Sequence, residues 1–542
     1  MEVLLLVFLT AMAVSMAIIP VLIRHAATLG MMDQPDPRKV HAVPVPRVGG
    51  VGIVLGALLA MAYWLPFNEL MFSYVAGSLV LLVFGVWDDV RELGHYPKFV
   101  GQFIAVLLVV YHGDLYVTQL PLLGLEPLHE AFGRVFTVIA MVGVINAINH
   151  SDGLDGLAGG ESLLSFGALA WLAYQANDMT VVAIAFAIMG GVFGFLRFNS
   201  HPARVFMGDG GSQFLGFSLA FLVVYFVEIS NPAVSRALPA LLLGLPVIDI
   251  ISVFIQRVRG GMNWFRATKN HIHHRLLELG FHHYESVMAI YSVQLLMVLL
   301  AVLLPYESDL LLLGLYAGFS IVIFGLLIRA ERSAWRAHAT GDRVGVLARM
   351  VHAFRPEGRL MVLDRTLVWV LLSAYVLYAA FFVEVVPGDL ALIAAFLFLV
   401  LLARLVLGYR AWFLFLRFSM FVGMALVAYL MERHLPEIVP AQASLVFFGL
   451  LFLAVVLAVR YSREEFFQVT PLDYLVVLIV VTVALITEAG YADVGSIALV
   501  LKLIILFYGI EITLKYMKSR WNSFTLAMLA ALAVLAGRGV LG

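Results

Sequence analysis

Apolar stretches of about 20 residues follow one another from Val3 to Leu541, each long enough to cross a ~30 Å hydrocarbon layer as a helix. In lipid a backbone must satisfy its own hydrogen bonds, so stretches of this length fold as α-helices. A membrane barrel would instead show short alternating strands, and the sequence has none. With 63% hydrophobic and only 13% charged residues, a water-soluble domain of this size is excluded as well. The expected fold is an all-α, polytopic transmembrane helical bundle of about 18 spans, from 2–24 through 522–539. The first span has no basic residues ahead of it and is too long for a signal-peptide core, so it reads as a retained helix. The absence of cysteine removes disulfides, cysteine metal sites and thiolate chemistry. A net charge of −1 gives no general attraction to nucleic acid, so no such partner is expected.

Charge placement orients the bundle. Numbering the loops alternately, one set holds Arg24, Arg38, Lys39, Arg47, Arg91, Lys98, Arg197 and Arg204, then the bases between Arg257 and Arg275 and those from Arg329 to Arg365. In the same region the other set holds only Arg134 and Arg236. The basic set marks the cytoplasmic side, which puts the N-terminus outside. Organisation changes near residue 330. Residues 1–330 form a membrane domain of about 11 spans with polar cytoplasmic loops, 331–364 a basic cytoplasmic linker near anionic headgroups, and 365–542 a further membrane domain of about 7 spans. The last domain carries Lys502 in mid-span, either a functional group or a side chain that snorkels or pairs with a neighbouring helix.

Four loops on the basic side carry the chemistry. In GVWDDVRELGHYPK (85–98), Asp88 and Asp89 sit side by side at the end of a span, ten residues before Lys98. Adjacent carboxylates repel unless a cation lies near; a hard divalent ion such as Mg2+ would relieve them, and a solvated helix end is the alternative. In NAINHSDGLDGLAGG (146–160), Asp152 and Asp155 would share one face of a helical turn, and the glycines would let a ligand approach the backbone. Helix capping explains one of these aspartates more readily than both together with two asparagines. In FNSHPARVFMGDGGSQFLGF (198–217), Asp209 lies in a glycine-rich helix start, a place where free N–H groups suit an anion. In RVRGGMNWFRATKNHIHHRLLELGFHH (257–283), His271, His273, His274 and Arg275 make a cationic cluster suited to zinc or, given its basic neighbours, to an oxyanion. Carboxylates for a divalent ion and bases for phosphate on one face suit phosphoryl transfer, in which positioning and charge stabilisation do most of the catalysis. A soluble phosphorylated donor and a lipid-confined acceptor would then explain the membrane.

These loops, together with DQPDPRKVHAVPVPRVGG (33–50) and HIHHRLLELGF (271–281), resemble in motif and order the polyprenyl-phosphate N-acetylhexosamine-1-phosphate transferases, the MraY/WecA group. The resemblance spans roughly 1–330, and the histidine motif is closer to the WecA branch. It implies transfer of a sugar-1-phosphate, GlcNAc-1-phosphate by default, from a UDP-sugar donor to an undecaprenyl phosphate acceptor. UMP and an undecaprenyl-diphosphate-linked sugar would result, initiating a cell-surface polysaccharide such as O-antigen, capsule or wall polymer. The enzyme would be a multi-pass protein of the bacterial inner membrane, its N-terminus periplasmic and its active site cytoplasmic, with a homodimer as an option. By motif position, Asp209 and Asn149 would hold Mg2+ (with Mn2+ as a substitute), and Asp88, Asp89 and Asp152 would be catalytic. Lys98, Asp155, Phe206, Lys39, His41, Arg47, His271, His273, His274 and Arg275 would bind substrate, Asp155 near the uracil. Two other readings compete. A transporter or flippase of lipid-linked saccharides would place its polar groups mid-membrane on broken helices, not in loops, and a CDP-alcohol phosphotransferase would need a longer aspartate motif. The 366–542 extension could also scaffold a later enzyme.

Overall fold

The computed structural model describes residues 2–35, 43–123, 126–261, 270–337, 358–383, 385–407, 413–433, 441–460, 494–517 and 521–541. Every expected span except 472–488, which lies outside the described residues, coincides with a helix. Eleven of these helices are long and apolar enough to cross a membrane. Large apolar side chains such as Ile321, Leu326 and Val83 stand more than 60% exposed on them, a pattern that fits lipid and not water. The chain is an all-α membrane protein.

The described residues fall into two compact units, one formed by those up to 337 and the other by those from 358 onward. After the last helix of the first unit, Ala337 N donates to Leu279 O at 2.9 Å and the Trp335 ring packs against Phe281, so the chain there folds back onto its own unit.

In the first unit, α1 (Glu2–His25), α2 (Gly49–Trp64) and α7 (Met179–Asn199) pack together, while α8 (Gly208–Tyr225) lies against α2, α3 (Glu69–Arg91) and α5 (Glu130–Ser151). The span containing α8 is the most enclosed of the candidate spans and α12 (Asp309–Arg332) the least, with 78% and 11% of their most apolar windows buried. A two-residue antiparallel clip, β1 (Met32–Asp33) against β2 (Val45–Pro46), closes the segment between α1 and α2. α4 (His95–Leu107) and α8 end in single π-turns at Leu108–His112 and Phe226–Ser230.

α3 and α8 cross at backbone contact. A Cβ on Gly85 would lie 2.2 Å from the Cα of Gly210, so only glycine lets the two helices approach this closely. α9 (Leu238–Arg259) breaks at Gly244 (φ 42°, ψ −126°), just ahead of Pro246. Its freed groups are recaptured: Leu245 N donates to Gln294 Oε1 at 2.8 Å and Tyr316 OH to Gly244 O at 3.2 Å, as a break in a spanning helix requires. The fourth polar loop holds a short helix, α10 (Ile272–Glu278), where the sequence suggested only a loop. It stops at Gly280 (φ 87°), where Phe281 N reaches Leu276 O and Gly280 N reaches Leu277 O, the pattern of a glycine-terminated helix end. α6 (Leu157–Gln175) and α11 (His283–Leu303) complete the unit.

The second unit contains α13 (Gly358–Phe382), α14 (Gly388–Leu407), α15 (Phe413–Arg433), α16 (Ala441–Arg460), α17 (Val494–Tyr516) and α18 (Trp521–Leu541). Its core is aliphatic and methionine-rich, with Met420, Met424 and Met528 buried together. Lys502 is paired: its Nζ lies 2.6 Å from Glu432 Oε2 and 5.5 Å from the centre of the Phe448 ring. Of the two readings of this lysine, the structure selects pairing with a neighbouring helix.

Candidate active site

All four polar loops and the segment before α2 contribute to one cavity in the first unit, with a volume of about 750 Å3. The last turn of α3 brings Asp88 and Asp89, the first turn of α8 brings Asp209, and α4 brings Lys98. Lys98 Nζ bridges two carboxylates, at 2.8 Å from Asp88 Oδ2 and 2.6 Å from Asp209 Oδ2. Asp209 N donates to Asp89 Oδ1 at 3.2 Å. The backbone conformation of Gly208 (φ +72°) makes this approach, and a Cβ there would strike the Asp89 carboxylate. Asn149, in the last turn of α5, donates through Nδ2 to Asp209 Oδ1 at 2.6 Å and Ser212 Oγ at 2.8 Å.

Negative charge therefore exceeds its counterions here. Asp88, Asp89, Asp152 and Asp209 line the cavity with one lysine, which Asp88 and Asp209 share; Arg47 is already ion-paired with Asp33 and lies 3.7 Å from Glu92. Burial, with the Asp209 and Asp155 carboxylates nearby, pushes the Asp152 carboxyl up to about 7. Asp88 Oδ1 is buried with no hydrogen-bond partner among the described residues. An orphaned buried carboxylate oxygen calls for a ligand, and an all-oxygen donor set suits a hard divalent cation such as Mg2+. Asp88, Asp89, Asp209 and the remaining amide oxygen of Asn149 are the groups that fit one.

The Asp155 turn forms another part of the wall. Asp155 Oδ2 accepts from His201 Nδ1 at 2.7 Å and Ala203 N at 3.0 Å. Phe206 lines the cavity, its backbone N tied to Pro46 O at 2.8 Å.

The histidine motif divides. His274 lines the cavity. His271, His273 and Arg275 are buried, contrary to the expectation that the whole cluster faces phosphate. His271 Nδ1 lies 2.7 Å from Asp249 Oδ2, and Ile272 N caps the other oxygen of that carboxylate at 2.9 Å. Arg275 makes a two-pronged pair with Glu331 on α12, at 2.7 and 3.0 Å. The His273 ring packs under Gly153, where a Cβ would come within 2.2 Å of Nε2. Burial beside His274, His271 and His150 holds His273 well below the usual imidazole range, so it is neutral. These three side chains support the motif from behind because α10 turns one face inward. Lys39 and His41 lie outside the described residues.

Sequence reasoning missed Asp249, His201 and His283. Asp249 had a usable signal, since a carboxylate inside the apolar run LPVIDIISV is itself suspect. The two histidines lay in quoted motifs, but nothing local connects them to Asp155.

The model of glycosyl transferase family 4 matches residues 71–227, the stretch that carries Asp88, Asp89, Lys98, Asn149, Asp152, Asp155, His201 and Asp209. A probable undecaprenyl-phosphate N-acetylglucosaminyl 1-phosphate transferase of Bacillus subtilis is 31% identical over 330 residues, covering 59% of this chain and 90% of that one. The undecaprenyl-phosphate alpha-N-acetylglucosaminyl 1-phosphate transferase of Yersinia pestis is 28% identical, with 59% and 90% covered. A decaprenyl-phosphate N-acetylglucosaminephosphotransferase of Mycobacterium tuberculosis is 32% identical, with 49% and 74% covered. With its carboxylate cavity inside the matched stretch and nearly the full length of such relatives aligned, the chain belongs to the polyprenyl-phosphate N-acetylhexosamine-1-phosphate transferases.

Proposed function

We propose that the protein transfers GlcNAc-1-phosphate, or a closely related N-acetylhexosamine-1-phosphate, from a UDP-sugar to undecaprenyl phosphate. An acceptor phosphate oxygen attacks the sugar-bearing phosphorus of the donor. The bond from that phosphorus to the oxygen bridging it to the nucleoside phosphate breaks. UMP leaves, and the lipid diphosphate sugar remains. The observation that carries this reading is one cavity lined by four carboxylates, two of which, Asp88 and Asp209, share Lys98, in a chain aligned with transferases of this chemistry.

Mg2+, with Mn2+ as a substitute, would supply charge neutralisation for the donor diphosphate, held by Asp209, Asn149 and the Asp88–Asp89 pair. Lys98, freed from its carboxylates by an incoming phosphate, would bind that phosphate, with His274 and Arg47 at the rim. Asp155 and Phe206 would hold the nucleoside. A phosphate monoester is largely ionised at neutral pH, so Asp88 and Asp89 act through placement and charge more than by removing a proton.

The same reading places the protein in the bacterial inner membrane with its N-terminus periplasmic, about 18 spans and the cavity on the cytoplasmic side. Residues 1–330 act as the transferase, 331–364 as a basic linker and 365–542 as a further membrane domain. The distribution of basic residues supports this orientation. The carboxylate cavity at helix ends favours an enzyme over a transporter, and the relatives give transport no support. The test is UMP release from membranes holding undecaprenyl phosphate and a panel of UDP-sugars, with and without Mg2+. Release with UDP-GlcNAc only when the cation is present is expected; no release with any UDP-sugar overturns the reading.

A further inference from the structure

The Asp155–Gly156 turn is held from several directions. Gly156 (φ +81°) donates its N–H to Asn199 Oδ1 at 2.7 Å and accepts Tyr291 OH at 2.6 Å. Asp155 N donates to His283 Nε2 at 3.0 Å, and Asp155 Oδ2 takes the two donors already described. The His201 and His283 rings stack, 4.1 Å apart and 19° from parallel. His283 is delivered by a capping box at the start of α11, in which His282 and Glu285 exchange bonds.

Asp155, His201 and His283 place ligand-type atoms within 4.8 Å of one another, a grouping that suits a transition metal by composition. Their geometry argues otherwise. His201 Nδ1 is spent on the carboxylate, and His283 Nε2 is spent on the Asp155 backbone N–H. Stacked rings also aim their in-plane lone pairs side by side, so they do not converge. These bonds fix the tautomers instead: His201 carries a proton on Nδ1, and His283 accepts at Nε2. One polar atom of the turn, Asp155 Oδ1, receives no bond among the described residues and is left to the cavity.

We propose that His201 and His283 are positioning residues that lock the Asp155 turn and hold its free oxygen, Oδ1, toward the nucleoside that the reading above assigns to Asp155. The proposal rests on the transferase reading above. A fixed lone acceptor is satisfied by the N3–H of uracil and repelled by the bare N3 lone pair of cytosine. Discrimination built on a polar group left unpaired by the wrong ligand is strong.

The tautomers make the test specific. An Asn amide N–H reaches roughly where an imidazole Nδ1 sits, and a Gln amide oxygen roughly where Nε2 sits. His201→Asn and His283→Gln are therefore expected to retain function, and His201→Gln and His283→Asn to lose it along with both alanine variants. The losing variants should show a KM for UDP-sugar raised roughly 10- to 100-fold. Their kcat should stay within about threefold and their KM for undecaprenyl phosphate should not change. Inhibition by UMP relative to CMP should lose selectivity by the same factor as the rise in KM. A fall in kcat with unchanged KM, or equal rescue by Asn and Gln at each position, overturns the positioning role. Absence of turnover by the unmodified protein overturns the transferase reading itself. Turnover with unaltered KM in the alanine variants overturns only this proposal.

Discussion

The two units treat charge in opposite ways. In the second, Lys502 meets Glu432 one to one, with the Phe448 face beside the ammonium. In the first, Lys98 is divided between Asp88 and Asp209 while Asp89 and Asp152 line the same cavity, and one oxygen of Asp88 has no hydrogen-bond partner among the described residues. Buried charge that balances holds helices together; buried charge that does not is waiting for a ligand. Lysine in an apolar helix is a marker of function only when its partners leave something unmatched.

The comparison breaks most easily at Asp209. Asp209→Asn removes the carboxylate that touches both Lys98 and Asn149, and Mg2+-dependent UMP release should fall roughly 10³-fold. Asp88→Asn should slow release while leaving UMP binding, read by calorimetry, in place. Full activity of Asp209→Asn membranes would dismiss the assignment of a cation to this cluster.

Next comes the crossing that assembles the cluster. Gly85→Ala puts a methyl against Gly210 and should lower stability in detergent by about 1–3 kcal/mol or more, with activity falling further than stability. Wild-type behaviour would show that α3 and α8 are free to separate.

In the second unit, Lys502→Met should destabilise by about 1–3 kcal/mol because Glu432 loses its counterion. Removing both charges, Lys502→Met with Glu432→Gln, should recover most of that loss and leave UMP release unchanged. A tenfold drop in release by the double variant would mean that this pair serves the reaction and not only the fold.

The smallest effect is in pH. With its folded-state carboxyl pushed up to about 7, Asp152 is harder to ionise in the folded protein than in the unfolded chain. It therefore costs nothing below about pH 4 and increasingly destabilises the cation-free protein as pH rises through 7. Asp152→Asn should gain thermal stability over wild type between pH 5 and 8, with the difference flat above that range and reduced by added Mg2+. A pH-independent difference would mean that Asp152 is ordinarily solvated.

Much of this was legible in the amino acids. Span length and apolar runs locate the helices, because in lipid each segment must close its own hydrogen bonds. Paired aspartates beside glycines mark Asp88, Asp89, Asp152 and Asp209, since clustered carboxylates next to closely approachable backbone are hard to explain otherwise. The histidine motif was only half legible. HIHHR contains the right residue types, but which imidazole faces the cavity depends on the register of α10, and Asp249 and Glu331, which claim His271 and Arg275, lie 22 and 56 residues away. Likewise the hold on Asp155 joins residues 46 and 128 apart. Such pairings are properties of packing, and no local spacing encodes them.

The contact of Gly85 with Gly210 has a consequence for precision. Side chains packed between helices act as a compliant layer, while two glycines in contact leave nothing to compress. Asp88 lies three positions beyond Gly85 and Asp209 one before Gly210, so both aspartates are referenced to the same point. A slip of one residue along α8, about 1.5 Å, exceeds the slack in a 2.6 Å bond to Lys98. The crossing is the ruler of the cavity: it sets the separation of carboxylates that arrive from distant parts of the chain, and it does so with two residues that carry no side chain at all.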